Sequence, residues 1–380
     1  MTGLRIAFEP TSLTEQEDEL RLEVREFLAT ELPPGTYDRG LGLAAAKDKA
    51  FSRKLAERGW VGMAIPTRYG GHDRTAMDRF VVVEELLRWG APIGHHWVAD
   101  RQTAPTILRY GTEEQKQRFL PAIARAEVSF SIGMSEPDSG SDLASVKTRA
   151  QPCPGGWVVT GRKLWTSGAR ENDWMTLLCR TSQEDDRHAG LTQLLVDLHS
   201  PGLTTNPITF IDGTHGFNEV LLEEVFVPDE LVLGEIGGAW KQITSELAFE
   251  RGGPDRWLSS YGVVEELLRI QALRDLPALP PLLGSLTAQW WAIRHLSMSV
   301  ARMIDDGRAP SSEAALVKSI GTRFEQDVVT AIHDLLDEEA CAAAPGPFQE
   351  LLTRAVLTAP SWTIRGGTLE VLRSVVARGM

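Results

Sequence analysis

The chain changes its hydrophobic pattern twice along its length, and the order of these changes limits the folds open to it. Residues 1 to about 126 and 233 to 380 have apolar residues at helical spacing. Residues 127 to 232 instead have short β-type runs separated by clusters of Gly, Pro, Asp and Asn. Strands and helices do not alternate, so a doubly wound parallel sheet is disfavoured. The sequence predicts an α+β fold with an N-terminal helical domain (1–126), a central β-barrel or sandwich domain (127–232) and a C-terminal helical bundle (233–380).

Capping signals and composition predict three helices in the first of these segments. Thr14 and Glu17 form a capping box, and the apolar run behind it ends at Pro33-Pro34-Gly35. Residues 78–88 are rich in Val, Leu and Glu with few helix breakers, which favours a second helix. Residues 111–115 begin with a capping residue and early acids, the charge order that a helix dipole favours.

In the last segment, six apolar residues predict one face of a long helix that is capped near Ser311 and Ser312. They are Leu316, Ile320, Phe324, Val328, Ile332 and Leu335. Residues 342–347 are predicted to form a loop.

Charge and cysteine content narrow the classes of function. The net charge is −13, from 52 acidic and 39 basic residues, which disfavours nucleic acid and anionic membranes as partners. No run approaches the roughly 18 apolar residues of a membrane span, and Met1 to Arg5 begin no signal peptide. Three cysteines without a C-x-x-C pair predict a reducing compartment, with neither a disulfide framework nor a thiolate metal site. We expect a cytoplasmic protein.

The common local motifs of enzymes are weak or missing. Residues 40–45 fit the loose dinucleotide fingerprint G-x-G-x-x-A, but a Pro-Pro-Gly loop precedes them where the fingerprint needs a strand. The adjacent His95 and His96 would point to different sides of a helix or strand, which argues against a metal site. No G-x-S-x-G elbow supports a serine nucleophile.

Three longer segments share a pattern that extends over nearly the whole chain. Residues 134–143 read MSEPDSGSDL, residues 161–167 read GRKLWTS, and residues 366–373 read GGTLEVLR with Ala377-Arg378 after them. In order, they resemble the T-E-P-x-A-G-S-D, G-x-K-x-W-I-T and G-G-T-x-E-I-x-R…A-R signatures of the acyl-CoA dehydrogenase family of flavoproteins. Supporting matches lie at residues 69–71, 111–120 and 218–228. This resemblance implies an FAD-dependent acyl-CoA dehydrogenase, and the family's order of domains agrees with the α–β–α division.

The resemblance implies that six residues of the β-domain bind FAD, namely Ile132, Met134, Ser135, Ser141, Trp165 and Ser167. Met134 and Ser135, at the end of a predicted strand, would bond the flavin ring; Ser141 would serve the phosphates. Trp165 and Ser167 would cover and hold the ring. An isolated Trp165 would more often be a core residue of the β-domain, and an isolated Gly140-Ser141-Asp142 an ordinary turn. The three motifs together favour the flavin role instead.

Two further residues, Thr368 and Glu370, would face the flavin by the same resemblance. On their own they read as a helix start, with Thr at the N-cap and an early Glu. The two roles are compatible.

The catalytic base departs from the commonest family pattern. In many members a carboxylate directly precedes the C-terminal Gly-Thr, but here that residue is Gly366. A family variation places the base on the helix after the β-domain; Glu250 matches that position and Arg251 the arginine that follows it. A carboxylate beside apolar residues and before a Gly-Gly-Pro break is a plausible base of raised pKa, although most Glu residues of this kind are surface residues of a helix. The thioester carbonyl would be held by a backbone N–H near Gly366 and a flavin ribityl hydroxyl; Glu246 and Glu370 are the alternative carboxylates.

A second departure concerns assembly. Family members usually carry R-x-x-F-G on the next helix and a later Q-x-x-G-G-x-G loop, which bind FAD across a subunit boundary. Residues 269–276 lack the Phe-Gly, and residues 342–348 lack the glycine cluster. A similar loss occurs in a subgroup that assembles as heteromers, some of which act on bulky ring-bearing acyl chains.

Three hypotheses follow for function. The first is an α,β-dehydrogenase of an acyl-CoA or acyl-carrier thioester, with an electron acceptor such as an electron-transfer flavoprotein. The second is a non-catalytic or site-sharing partner subunit of a heteromeric dehydrogenase. The third is a relative with other flavin chemistry, such as oxidation by O₂ or desulfination. Both a homo-oligomer and a heteromer are compatible with the sequence.

Overall fold

The computed structural model of the chain describes residues 6–42, 46–336, 340 and 344–380, and the side chains of residues 245–250 lie outside that description. Five helices come first in chain order: α1 (Glu15–Glu31), α2 (Lys49–Glu57), α3 (Ala76–Trp89), α4 (Ala104–Tyr110) and α5 (Glu113–Ala124). The predicted N-terminal helices are confirmed as α1, α3 and α5. Thr14, Thr75 and Thr112 each form a capping box with the residue three positions later, which satisfies the first free N–H groups of each helix.

The central segment forms one eight-stranded sheet in the part of the chain that is described. The strands are β1 (Phe130–Gly133), β2 (Arg149–Cys153), β3 (Gly156–Ser167), β4 (Trp174–Arg180), β5 (Leu191–Asp197), β6 (Leu203–Ile208), β7 (Phe217–Pro228) and β8 (Val232–Leu233). Their order is β6-β7-β3-β2-β4-β5-β8, and β1 pairs in parallel with β4. This arrangement puts β3, which carries the second motif, inside the sheet between β7 and β2.

One apolar core supports this sheet. Val159 of β3, Leu177 of β4 and Leu194 of β5 are fully buried in it, together with Leu120 and Ile123 of α5. The apolar face of α5 and one face of the sheet therefore pack in the same core, which fixes the strands relative to that helix.

The C-terminal segment is helical, as predicted. It contains α6 (Ala239–Glu250), α7 (Tyr261–Arg269), α8 (Gln271–Arg274), α9 (Leu279–Asp305), α10 (Ser311–Leu335), α11 (Gly346–Thr358) and α12 (Leu369–Gly379). Helix α10 packs against both α9 and α12. The 342–347 loop prediction was too long, because Gly346 and Pro347 already belong to α11; residues 341–343 lie outside the described residues.

Two details of α10 differ from the prediction. Ser311 is the first helical residue, preceded by Pro310, and no side chain caps this end. Ile320 is 40% exposed, whereas Val317, Gly321 and Phe324 are buried. Phe324, Val328 and Ile332 of the predicted face are buried. The buried face is wider than predicted, because it also accommodates three charged residues that an apolar pattern assigns to the surface, namely Glu313, Lys318 and Glu325.

The contacts divide the chain into two units, one of residues 1–46, 75–92 and 247–380 and the other of residues 47–74 and 93–246. The first unit holds α1, α3 and the helices after α6, and the second holds the sheet with α2, α4 and α5. Within the described residues, no helix is both long enough and apolar enough to cross a bilayer.

Candidate functional site

The chain that follows β1 is fastened to β3 by two hydrogen bonds. The Lys163 ammonium donates to the Met134 carbonyl at 3.0 Å, and the Leu164 N–H donates to the Ser135 carbonyl at 2.9 Å. Since both carbonyls are held by β3, the Met134 and Ser135 backbone has a fixed direction beyond the end of its own strand. That is the requirement for main-chain groups that recognise a flat ring by its edge.

A buried ion pair reinforces this fastening. Lys163 is fully buried, and its ammonium lies 2.8 Å from the Glu136 carboxylate. The same carboxylate accepts the N–H groups of Lys147 at 2.6 Å and Thr148 at 2.9 Å. Burial alone would raise the pKa of Glu136, but the Lys163 charge and these donors outweigh burial and hold that pKa below its ordinary value. Glu136 is therefore an ionised anchor for the segment that carries Met134 and Ser135.

A β-bulge in β3 turns Trp165 out of the sheet. Lys163 pairs with Val220 and Thr166 with Asn218, so three steps along β3 match two along β7. Trp165 at the bulge has a φ of +61°, a left-handed backbone that non-glycine residues rarely adopt. Its indole is 53% exposed, and its ring contacts Phe217 edge-on at 6.4 Å between centroids. The structure therefore contradicts the reading of Trp165 as a core residue.

The other predicted flavin residues of this unit lie on the same elements. Ile132 is half-buried in β1, and Ser167 is exposed at the last position of β3, where its carbonyl accepts the Ser131 hydroxyl at 2.8 Å. Ser141 is exposed in the turn ahead of the short 3-10 helix Leu143–Ser145. The structure thus brings Met134, Ser135 and the Trp165 bulge together through β3.

The predicted catalytic residues belong to the other unit, and two cations converge there on a glycine pair. Arg251 directly follows α6 and is buried; its Nε donates to the Gly366 carbonyl at 3.1 Å. The Lys318 ammonium, on α10, donates to the Gly367 carbonyl at 2.7 Å. Both glycines have positive φ, +64° and +97°, so two consecutive carbonyls of a left-handed turn are each held by a buried cation.

The residue before this pair is anchored as well. Arg365 forms an ion pair with Glu325 of α10, and the Glu325 carboxylate also accepts the Ser259 N–H at 2.7 Å. Burial raises the pKa of Glu325, and the Arg365 charge opposes that rise.

Thr368 and Glu370 begin the last helix, as their local sequence indicates. Thr368 is the N-cap of α12, and its hydroxyl accepts the Val371 N–H at 3.3 Å. Glu370 is exposed in the first turn of that helix. A role for either residue toward a flavin stays a prediction.

The side chains of Glu246 and Glu250 lie outside the described residues. The backbone of Glu250 is nevertheless described: it is the last residue of α6 and immediately precedes Arg251. The residue next to Glu250 is therefore hydrogen-bonded to Gly366, the position where the commonest pattern has a carboxylate.

Comparison with known proteins now gives the family. Three family models match in order: the N-terminal domain of acyl-CoA dehydrogenase over residues 14–127, the middle domain over 131–225 and the C-terminal domain over 267–380. The chain belongs to the acyl-CoA dehydrogenase family. As a member it is a flavin-dependent oxidoreductase that acts on acyl-CoA, and its cofactor is FAD.

Among sequence relatives, acyl-CoA dehydrogenase FadE34 of Mycobacterium tuberculosis (strain ATCC 25618 / H37Rv) is 33% identical over 372 residues. The match covers 97% of this chain and 51% of the relative, so the chain spans about half of that protein's length. Among solved structures, the Tcur3481-Tcur3483 steroid ACAD is 29% identical with a TM-score of 0.86, covering 97% of this chain and 98% of that one. A chain of the ChsE4-ChsE5 complex from Mycobacterium tuberculosis is 27% identical with a TM-score of 0.83, covering 98% and 99%.

The residues predicted to bind the cofactor have side chains and backbone that are chemically suited to FAD. The indole of Trp165 is kept out of the core at the cost of a left-handed backbone, which offers a flat apolar surface for a ring system. The main chain at Met134 and Ser135 is fixed beside it, and the exposed hydroxyls of Ser141 and Ser167 are neutral donors. Within the described residues, no cluster of His, Cys, Asp and Glu forms a metal site.

The sequence did not reveal the residues that fix the backbone of the predicted site. Lys163 and Glu136 lie inside the recognised motifs, yet only the fold shows that they pair across 27 positions. Lys318 gave no signal except that it is a lysine within an otherwise apolar stretch of α10.

Proposed function

We propose that the chain catalyses α,β-dehydrogenation of an acyl-CoA, with Glu250 as the base that removes the α-proton. The observation that carries this proposal is the hydrogen bond from Arg251 to the Gly366 carbonyl. It makes the alternative position of the base and the usual position neighbours within one unit. A carboxylate at residue 250 can therefore replace the one that Gly366 lacks.

The chemistry needs a base and a polarised carbonyl. A thioester α-proton is weakly acidic, so Glu250 must take it while the carbonyl oxygen accepts hydrogen bonds that stabilise the developing negative charge. The N–H groups around Gly366 are the proposed donors of this chain. When bound, FAD supplies the two-electron acceptor for the hydride that leaves the β-carbon. Met134, Ser135, Ser141, Trp165 and Ser167 are the residues we propose for binding it.

The substrate that we propose to test first is a ring-bearing acyl-CoA. Gly366 contributes no side chain where many family members carry a carboxylate, which leaves more room beside the reacting carbons. The relative named a steroid ACAD supports this class. The same proposal includes an acyl-carrier thioester as an alternative substrate and an electron-transfer flavoprotein as the electron acceptor. It also includes a cytoplasmic location and the division into three domains (1–126, 127–232 and 233–380).

A second candidate is a site-sharing subunit of a heteromer. The similarity to a chain of the ChsE4-ChsE5 complex favours it, as does the loss of the family's R-x-x-F-G and glycine-loop patterns. Arg269 forms ion pairs with Glu265 and Glu266 of its own helix, and Arg274 is hydrogen-bonded to Gln271. These arginines are engaged locally, so an unlike partner is the simpler source of the missing FAD contacts.

The test is anaerobic bleaching of the flavin by acyl-CoAs of different size, with the chain alone and with its co-expressed partner. Glu250→Gln should keep the oxidised-flavin spectrum and lose about 10²- to 10⁴-fold in the rate of bleaching, because an amide cannot accept the α-proton. Glu246→Gln, one turn earlier on α6, is the matched control and should bleach normally. Bleaching of Glu250→Gln at the wild-type rate would contradict the assignment, and loss in Glu246→Gln instead would move the base there.

A further inference from the structure

We propose that Lys318 is a positioning residue of the thioester-carbonyl site, which it serves by fixing the backbone of the Arg365-Gly366-Gly367 turn. This inference rests on the proposed function, in which N–H groups of that turn polarise the substrate carbonyl. Lys318 itself has no contact with substrate in the proposal. It acts through the Gly367 carbonyl, to which its ammonium donates at 2.7 Å.

The geometry follows from the rigidity of the peptide unit. In a trans peptide, the carbonyl of one residue and the N–H of the next point in opposite directions. Arg251 on the Gly366 carbonyl therefore aims the Gly367 N–H away from the guanidinium. In the same way, Lys318 aims the Thr368 N–H away from the ammonium. By holding two consecutive carbonyls, Arg251 and Lys318 thus also set the directions of the Gly367 and Thr368 N–H groups.

The Gly366 N–H lies between two sets of contacts, which restrain the chain before and after it. On one side the Arg365 side chain pairs with the buried Glu325. On the other side the Gly366 and Gly367 carbonyls are held by Arg251 and Lys318. Lys318 and Glu325 both project from α10, so one helix holds the turn before and after the glycines.

A glycine pair needs such external contacts more than other residues do. Gly366 and Gly367 have φ values of +64° and +97° and no side chains to pack. Glycine loses more conformational freedom on folding than any other residue. Without a donor on each carbonyl, the two peptide planes would rotate, and donors that should be preorganised would reorganise during the reaction.

The burial of Lys318 also points to a directed role. Its side chain is fully buried on α10, between the apolar residues Val317 and Gly321 of the same buried face. A buried charge is costly, and an apolar side chain of similar volume often serves packing equally well. The ammonium reaches a carbonyl of the site turn from that position, which a packing residue would not do. It also polarises the Gly367–Thr368 peptide and so strengthens its N–H as a donor.

The experiment compares Lys318→Met, Lys318→Arg and, as matched control, Arg323→Met on the exposed side of the same helix, each as flavin-loaded protein. The readouts are kcat and KM for the acyl-CoA that reduces the wild type. A third readout is the absorbance maximum of bound 4-dimethylaminocinnamoyl-CoA, which moves to longer wavelength when its carbonyl accepts strong hydrogen bonds. Thermal unfolding and FAD content are measured in parallel.

Lys318→Met should lower kcat by about ten- to a hundredfold, less than the loss from deleting one oxyanion donor outright. It should also shrink the red shift of the bound probe, while the Kd of the probe changes less than threefold. Lys318→Arg should restore part of both effects, and Arg323→Met should match the wild type. Lys318→Gln carries the same test if the Met variant does not fold.

A folded, flavin-loaded Lys318→Met with wild-type kcat and probe shift would overturn the proposal. Failure of every Lys318 variant to fold would overturn it as well, since the residue would then be purely structural. If the wild type is reduced by no acyl-CoA and gives no probe shift, the proposed function itself is wrong and the role of Lys318 falls with it.

Discussion

Replacing Lys163 by Met should destabilise the protein strongly, because it leaves the Glu136 carboxylate buried without its cation. Lys163 is fully buried, with its ammonium 2.8 Å from Glu136 and 3.0 Å from the Met134 carbonyl. Breaking a buried pair by removing one partner costs about 3–5 kcal/mol. Two backbone N–H donors still solvate Glu136, which places the loss in the free energy of unfolding near the lower end, about 3 kcal/mol. Urea unfolding followed by tryptophan fluorescence at fixed FAD concentration measures it.

Two further variants separate this effect from a general loss of packing. In Lys163→Met/Glu136→Gln the uncompensated charge is gone, so the double variant should recover much of the lost stability. Lys147→Met removes the exposed pair with Asp138 at 2.8 Å and should leave the unfolding midpoint close to wild type, since water screens both side chains. A loss of less than about 1 kcal/mol in Lys163→Met would contradict this prediction. A double variant as unstable as the single one would contradict it as well.

Lys163→Met should also change how the free energy of unfolding depends on pH below neutrality. The pKa of Glu136 is lower in the folded protein than its ordinary value, so this carboxylate contributes stability above its unfolded pKa. That contribution is lost as the pH falls through the folded pKa. Without the Lys163 charge, the effect of burial on Glu136 is opposed less strongly. The pKa of Glu136 in the folded variant therefore rises. Wild type therefore loses stability through Glu136 as the pH falls, whereas Lys163→Met loses less, because protonation removes its uncompensated buried charge. The difference in urea midpoint between the two proteins should narrow from pH 7 to pH 4, and a difference that stays constant or widens would contradict this.

Two other predictions concern the cofactor and the assembly. Trp165→Ala should weaken FAD binding by about tenfold, in line with the worth of an aromatic stacking contact, yet change the melting temperature little because the indole is 53% exposed; an unaltered FAD titration would argue against stacking on this face. Native mass measurement with flavin stoichiometry should find FAD bound tightly only when an unlike partner is present. A self-assembled oligomer of this chain carrying one tightly bound FAD per chain would refute the shared site.

The sequence predicts local features of this fold well and long-range polar contacts poorly. The capping box at Thr14 could be predicted because donor and acceptor lie three residues apart, and the helix start at residues 111–115 because a capping residue precedes early acids. The order of helices, sheet and helices was readable because each segment repeats its own period over many residues. These are properties of short windows of sequence, and the structure confirms them.

The missed features depend on residues that meet only after folding. Lys318 and Glu325 are charged, so an apolar pattern assigns them to the surface, whereas the turn at residues 365–367 supplies partners that keep both buried. The outward position of Trp165 depends on a bulge, and a bulge is a mismatch between two strands that neither strand reveals alone. The motifs could thus be recognised from sequence, while the contacts that hold them could not.

The left-handed turn at Gly366 also limits how this protein can evolve. A residue with a Cβ in that conformation is strained by roughly 1–2 kcal/mol, and Gly366 has a φ of +64°. At Gly367, with a φ of +97°, an added Cβ would lie 3.1 Å from the Arg251 guanidinium. A carboxylate introduced at residue 366 by one codon change would therefore carry a penalty in stability. Changes in the residues around the turn could offset that penalty, so the present glycine is favoured as long as those residues stay as they are.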